Sequence, residues 1–96
     1  MIHLTAQFCA KMGKEEALYQ LLTAILAPTR NEKGCIRYCL FQDQSDSRKF
    51  LFQEQFSDKD AFDSHCKETH FTDLIANLDG LLEEEPKITF YDAIEA

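Results

Sequence analysis

The chain has no tryptophan, only three glycines and two prolines, and fewer basic residues (ten) than acidic ones (seventeen). The resulting net charge of −7 argues against nucleic-acid and anionic-membrane partners, because neither attracts an acidic surface. No apolar run approaches the roughly 20 residues of a membrane span. Met1 to Phe8 alternates like a strand and lacks the basic start and continuous apolar stretch of a secretory signal. Cys9, Cys35, Cys39 and Cys66 form no CxxC pair and no zinc-ribbon spacing, so free thiols in a cytoplasmic setting are the expectation. There is no GxGxxG, P-loop, GxSxG or HExxH, which leaves nucleotide binding, acyl transfer and zincin chemistry without support. Nothing reads as a repeat, a low-complexity segment or a linker, and residues 1–96 are expected to form one domain.

What is present is apolar and aromatic: 45% of residues are hydrophobic and eight are Phe. A chain this short buries about 60–65% of its unfolded surface, so its core is thin and dimerisation is a natural supplement. Ile2 to Cys9 alternates with period 2 and predicts a strand with Ile2, Leu4, Ala6 and Phe8 on one face. From Lys14 to Asn31 a helix is expected, because Leu18, Leu21, Leu22, Ile25 and Leu26 form one stripe. Glu15 and Glu16 suit its first turn, Pro28 bends or ends it near Leu26, and Gly34 is placed as a left-handed closing residue. Cys35–Gln42 and Lys49–Phe56 read as strands joined by the polar loop Asp43–Arg48. Ser57 with Asp60 resembles a capping box for a helix from Asp58 to Lys67. Thr69 is a plausible cap for another helix closed by Asp79-Gly80, and a last strand should run from Lys87 to Ile94.

The order β-α-β-β-α-β, with the second helical region broken in two, is the ferredoxin-like α+β plan: an antiparallel sheet with helices on one face. The other sheet face, with Gln7, Cys9, Leu51, Gln53, Gln55, Thr89 and Tyr91, is too apolar for plain solvent and too polar for a monomer core. A homodimer packed through that face is the expectation.

Candidate chemistry centres on Phe50 to Phe71. Period 2 puts Glu54 in a row with Phe50, Phe52 and Phe56, where a desolvated carboxylate has a raised pKa and needs a partner or a proton. It reads as a base, as the orienter of a His base, or as a structural Glu bonded to a helix start. His65 lies on the apolar side of its helix with Phe62 and Cys66, as catalyst or as satisfied core histidine. His70 falls in the first turn of the next helix, where a neutral ring able to accept a proton or donate a hydrogen bond is expected. Five residues apart on a continuous helix, the two imidazoles would point about 140° apart, wrong for one ion, and no metal site is expected. Tyr38 and Tyr91 carry phenols that can hold an aromatic or carbonyl substrate. Phe52, Phe56, Phe62 and Phe71 are the expected aromatic walls, and Arg37 or Arg48 could anchor an anion.

Glu32-Lys33-Gly34-Cys35-Ile36-Arg37-Tyr38 resembles an E-x-G-C-x-x-Y segment. Phe52-Gln53-Glu54-Gln55-Phe56 with Ala61, His65, Thr69, His70 and Phe71 is similar to an aromatic-x-E-x-aromatic…A-x-x-x-H-x-x-x-T-x-H-F signature. Both belong to the antibiotic biosynthesis monooxygenase domain family of the dimeric α/β-barrel superfamily. The resemblance implies a pocket in each subunit between sheet and helices, and a dimer through the opposite sheet faces. It also implies a cofactor-independent monooxygenase acting on a small quinol or phenol. In that reading His65 is base or orienter, Glu54 its partner, and His70 and Tyr38 donors that position the substrate. An isomerase of a small, possibly phosphorylated, carbonyl metabolite and a non-catalytic dimeric binding module are the alternatives. Phe56 stands where the family often has Trp, which disfavours the haem-degrading branch.

Overall fold

Alternating apolar residues sort three strands into a helix-facing side and an outer side. The computed structural model describes residues 1–95, and its first strand, β1 (Ile2–Cys9), buries Leu4, Ala6 and Phe8 towards the helices. Strand β3 (Lys49–Phe56) buries Phe50, Phe52, Glu54 and Phe56 on the same side, and β2 (Cys35–Gln42) contributes Tyr38. With β4 (Lys87–Tyr91) they form an antiparallel sheet in the order β2-β3-β1-β4, the ferredoxin-like arrangement. Strand β4 ends at Tyr91, short of the expected Ile94, which is fully exposed.

Four helices cover the inner face. In α1 (Glu15–Ala24) the stripe positions Leu18 and Leu22 are fully buried. The helix stops there and α2 (Leu26–Arg30) follows. Pro28 has no N–H to return to Ala24, and its ring crowds that carbonyl, which is why the expected single helix divides at Ile25. Gly13 and Gly80 take the positive φ values of 86° and 80° that end their turns, but Gly34 does not. Gly34 is small for another reason: a Cβ there would collide with Cβ of Ala61, so the chain entering β2 passes directly over α3 (Lys59–Lys67).

The cap of α3 is Asp58 rather than Ser57: its Oδ1 accepts from the Ala61 amide at 2.8 Å, satisfying one of the free N–H groups of the first turn. Helix α4 (Thr69–Asn77) begins with Thr69 inside the helix and Glu68 as an extended cap residue without a side-chain bond. The extended backbone of Glu68 (ψ 145°) is the break between the two helices, and it redirects the chain so that His70 turns back towards His65.

Candidate active site

Between the sheet and helices α3 and α4 lies a cavity of about 470 Å³. Its floor is Leu4, Ala6, Phe52 and Glu54; its roof is Phe62, His65 and Cys66 of α3 with Phe71 and Leu74 of α4; Glu85, Pro86 and Ile88 lie at the mouth. β4 is an edge strand that the helices cover only in part: Phe62 of α3 meets Phe90 of β4 edge-on, with ring centroids 5.5 Å apart. Ile88 and Phe90 align with Ala6 and Leu4, on the helix side, yet are 48% and 58% exposed.

Glu54 is 6% exposed and no hydrogen bond to its carboxyl is found among the described residues. Burial, reinforced by the negative charge of Glu32, pushes its pKa up to about 8, so at neutral pH it is mostly a neutral acid. Tyr38, its cross-strand neighbour, is raised too, chiefly by burial and then by Glu54, and stays a phenol. Tyr38 stacks on Phe52 with ring centroids 4.9 Å apart. Cys66 on the roof is shifted up by burial and then by Glu54, which keeps it a thiol.

His65 is 1% exposed and is held edge and face by aromatic rings, with Phe56 and Phe71 at 4.9 and 5.0 Å. Its hydrogen-bond partner is not Glu54. Its Nδ1 lies 2.8 Å from Oε2 of Glu32, and Nε2 of His70 lies 2.6 Å from the same oxygen. Glu32 sits in the short connection between α2 and β2, so three separate parts of the chain converge on one carboxylate. These are also three potential metal ligands, all within 4.8 Å of one another. An ion held tetrahedrally at 2.0–2.2 Å would spread its ligand atoms to roughly 3.4 Å. The observed separations are those of hydrogen bonds, and the residues as placed form a hydrogen-bonded cluster.

Of the residues singled out from the sequence, Glu54, His65, Tyr38, Phe52, Phe62 and Phe71 line the cavity. His70, expected to touch substrate, instead faces Glu32 and is not part of the cavity wall. Phe56 is fully buried behind His65, because its strand position lies under α3 rather than beside the opening. Tyr91 pairs with His3 on β1; strand alternation therefore turns it to the outer face, where it is 53% exposed. Arg37 is exposed opposite Gln55, and Arg48 is tied to Asp46 at 3.3 Å; neither reaches the cavity. The residue given no role from sequence is Glu32. Its only signal was its place two residues before Gly34 in the E-x-G segment.

The model of the family described as antibiotic biosynthesis monooxygenase matches residues 1–77. A protein of Pseudomonas aeruginosa, PA3566, superposes with a TM-score of 0.93 at 35% identity over 98% of this chain and 94% of its own. Rv0793 of Mycobacterium tuberculosis, which bears the name "Putative monooxygenase", is 30% identical over 92% of this chain and 86% of its own length; its structure superposes with a TM-score of 0.93. Another relative, the uncharacterized protein sll1783 of Synechocystis, is 29% identical over 88% of this chain, which spans only 58% of that protein's length. A structure described as an antibiotic biosynthesis monooxygenase matches with a TM-score of 0.92 at 30% identity over 99% of this chain and all of that one. Taken with the ferredoxin-like sheet and the cavity under α3 and α4, these likenesses place the chain: it belongs to the antibiotic biosynthesis monooxygenase family.

Proposed function

We propose that the chain is a cofactor-independent monooxygenase for a small quinol or phenol, working as a homodimer joined through the outer sheet face. The observation that carries this reading is the composition of the cavity wall. It is aromatic, of a size for one small ring system, and pairs a neutral acid with an imidazole. Apolar pockets with a few placed polar groups are the usual form of small-ligand sites. Separating titratable groups into one acid and one base is the usual way one site runs both halves of a proton transfer.

In this reading an aromatic ring lies against Phe52, Phe62 and Phe71. His65 takes a phenolic proton, and the electron-rich anion passes an electron to O₂. Recombination gives a peroxide on a ring carbon, and loss of water leaves a carbonyl there. A hydroquinone with a ring C–H thus becomes a hydroxyquinone: one oxygen atom enters the product, the other leaves as water, and the substrate supplies all four electrons. Glu54, protonated, donates a hydrogen bond to the substrate or peroxide oxygen, and the proton that His65 took is returned when water forms.

The same acid and base suit isomerisation beside a carbonyl, which needs no oxygen. A phosphorylated substrate is disfavoured, because among the described residues no Arg or Lys lines the cavity. Turnover of a hydroquinone panel with and without O₂ separates the two. The oxygenase requires product formation with one O₂ consumed per product; equal consumption of substrate under anaerobic conditions rules it out.

A further inference from the structure

In the cluster of Glu32, His65 and His70 only His65 lines the cavity, and the proton positions that the other two impose on it bear on the chemistry within. A carboxylate oxygen can only accept hydrogen bonds. With Glu32 ionised, Nδ1 of His65 must therefore carry a hydrogen to bond at 2.8 Å, and Nε2 of His70 another to bond at 2.6 Å. A neutral His65 protonated at Nδ1 has a bare Nε2. No protein group hydrogen-bonds to that nitrogen among the described residues, while the ring itself forms part of the cavity wall. The cluster is graded in depth: side-chain exposure rises from 2% at His65 to 12% at Glu32 and 21% at His70. Nδ1 of His65, at the deep end of the cluster, thus has Glu32 as its hydrogen-bond partner among the described residues.

Glu32 alone would hold the ring poorly, because it projects from a connection rather than from a helix or strand. His70 corrects this. It sits in the first turn of α4, on a rigid element, and grips the very oxygen that His65 uses.

We propose that Glu32, clamped by His70, is the positioning residue for His65, holding it in the Nδ1–H tautomer with Nε2 presented to the cavity as the proton acceptor. This rests on the base role given to His65 above. The carboxylate orients one edge of an imidazole so that the other edge can act, the logic of an acid–histidine pair. His70 and Glu32 are positioning residues; neither touches the substrate. Glu54 has no part in orienting His65, and its acid is left free for the ligand.

The test needs no substrate. Long-range ¹H–¹⁵N correlation spectra of the full-length, ¹⁵N-histidine-labelled protein near pH 8 distinguish the tautomers of each ring. His65 is expected as the Nδ1–H form in the native protein. In Glu32→Gln the amide can donate to Nδ1, and the ratio of tautomers should move at least tenfold towards Nε2–H. Native His65 found as the Nε2–H form overturns the proposal without any variant, as does a ratio unchanged in folded Glu32→Gln. If Glu32→Gln does not fold, Glu32→Asp serves: the shorter carboxylate should broaden or split the His65 signals, and an unchanged spectrum counts against the clamp. With a substrate from the quinol panel, Glu32→Gln should lower kcat by 10²–10⁴ at unchanged KM, as the wrong tautomer does in an acid–histidine pair. Native tautomer data that fit, together with a panel that shows no oxygen-dependent turnover, would remove the oxygenase reading and leave the clamp standing.

Discussion

Two carboxylates serve the same site from opposite environments. Glu32 offers one oxygen to two imidazoles at 2.8 and 2.6 Å, whereas Glu54 stands on the cavity floor with no hydrogen bond to its carboxyl among the described residues. The first is met by two imidazole nitrogens. The second is driven towards the neutral acid by burial, and the charge on Glu32 adds to that drive. The contrast shows that placing a carboxylate among aromatic residues does not determine its role. What matters is whether a donor reaches it, and here the His65 ring, expected as the partner of Glu54, is turned towards Glu32.

The comparison breaks first at His65, where both halves meet. His65→Gln should lower oxygen-dependent turnover by about 10²–10⁴-fold if the ring is the base, measured as initial rates on the substrate found in the panel. A near-native rate would reduce the ring to a core residue.

Next comes the response of stability to pH. The folded-state pKa of Glu54, about 8, lies above its ordinary 4.5, so between these values the folded chain binds a proton that the unfolded chain has released. Stability contributed by this proton is complete below pH 4.5 and is lost as pH rises to 8, at up to about 1.4 kcal/mol per pH unit, or roughly 4 kcal/mol in all. Urea unfolding at pH 5 and pH 8.5 should reveal this fall, and Glu54→Gln should flatten it.

Glu32 is expected to act mainly as a hydrogen-bond acceptor. Glu32→Ala strips the shared acceptor from two imidazole rings and should cost about 1.5–3 kcal/mol at neutral pH; because the charge of Glu32 helps to raise the Glu54 pKa, it should also flatten a small part of the slope set by Glu54. The same pair of denaturation curves checks it.

The frame that holds Glu32 can be weakened more gently. Gly34→Ala forces its new Cβ into Ala61 and should cost about 1–3 kcal/mol. Ala61→Gly in the same chain should recover part of that loss, and a double variant no better than Gly34→Ala alone would refute the close approach. The smallest effect is expected at the start of α3: Asp58→Ala removes the bond to the Ala61 amide, about 1 kcal/mol in thermal melts.

Much of this molecule can be read from its residues in order. Period 2 put Glu54 on the buried side of β3, Pro28 marked the division of the first helical region, and the step from Lys67 to Thr69 marked the second. What escaped were contacts between distant parts of the chain. Glu32 and His65 are separated by 33 positions, and no local pattern tells a connection residue which helix it will meet. Gly34 carried the clue in another form: its missing side chain lets the E-x-G segment lie against α3, but from sequence it reads equally well as a turn residue. The phenol of Tyr91 speaks for the cavity, but the alternation of β4 places it on the outer face. The helix dipole speaks to the ring of His70 but not to its place, which is decided by the extended Glu68 that swings α4 round to face Glu32.

The account depends most on the state of the cavity carboxyl. Carboxyl ¹³C chemical shifts of glutamate-labelled protein, followed from pH 4 to 10 and assigned with Glu54→Gln, measure it directly. A Glu54 midpoint near 8 is the predicted result. A midpoint near the ordinary 4.5 would mean that the floor of the cavity holds an anion at neutral pH, and the division of labour between the two carboxylates would be wrong.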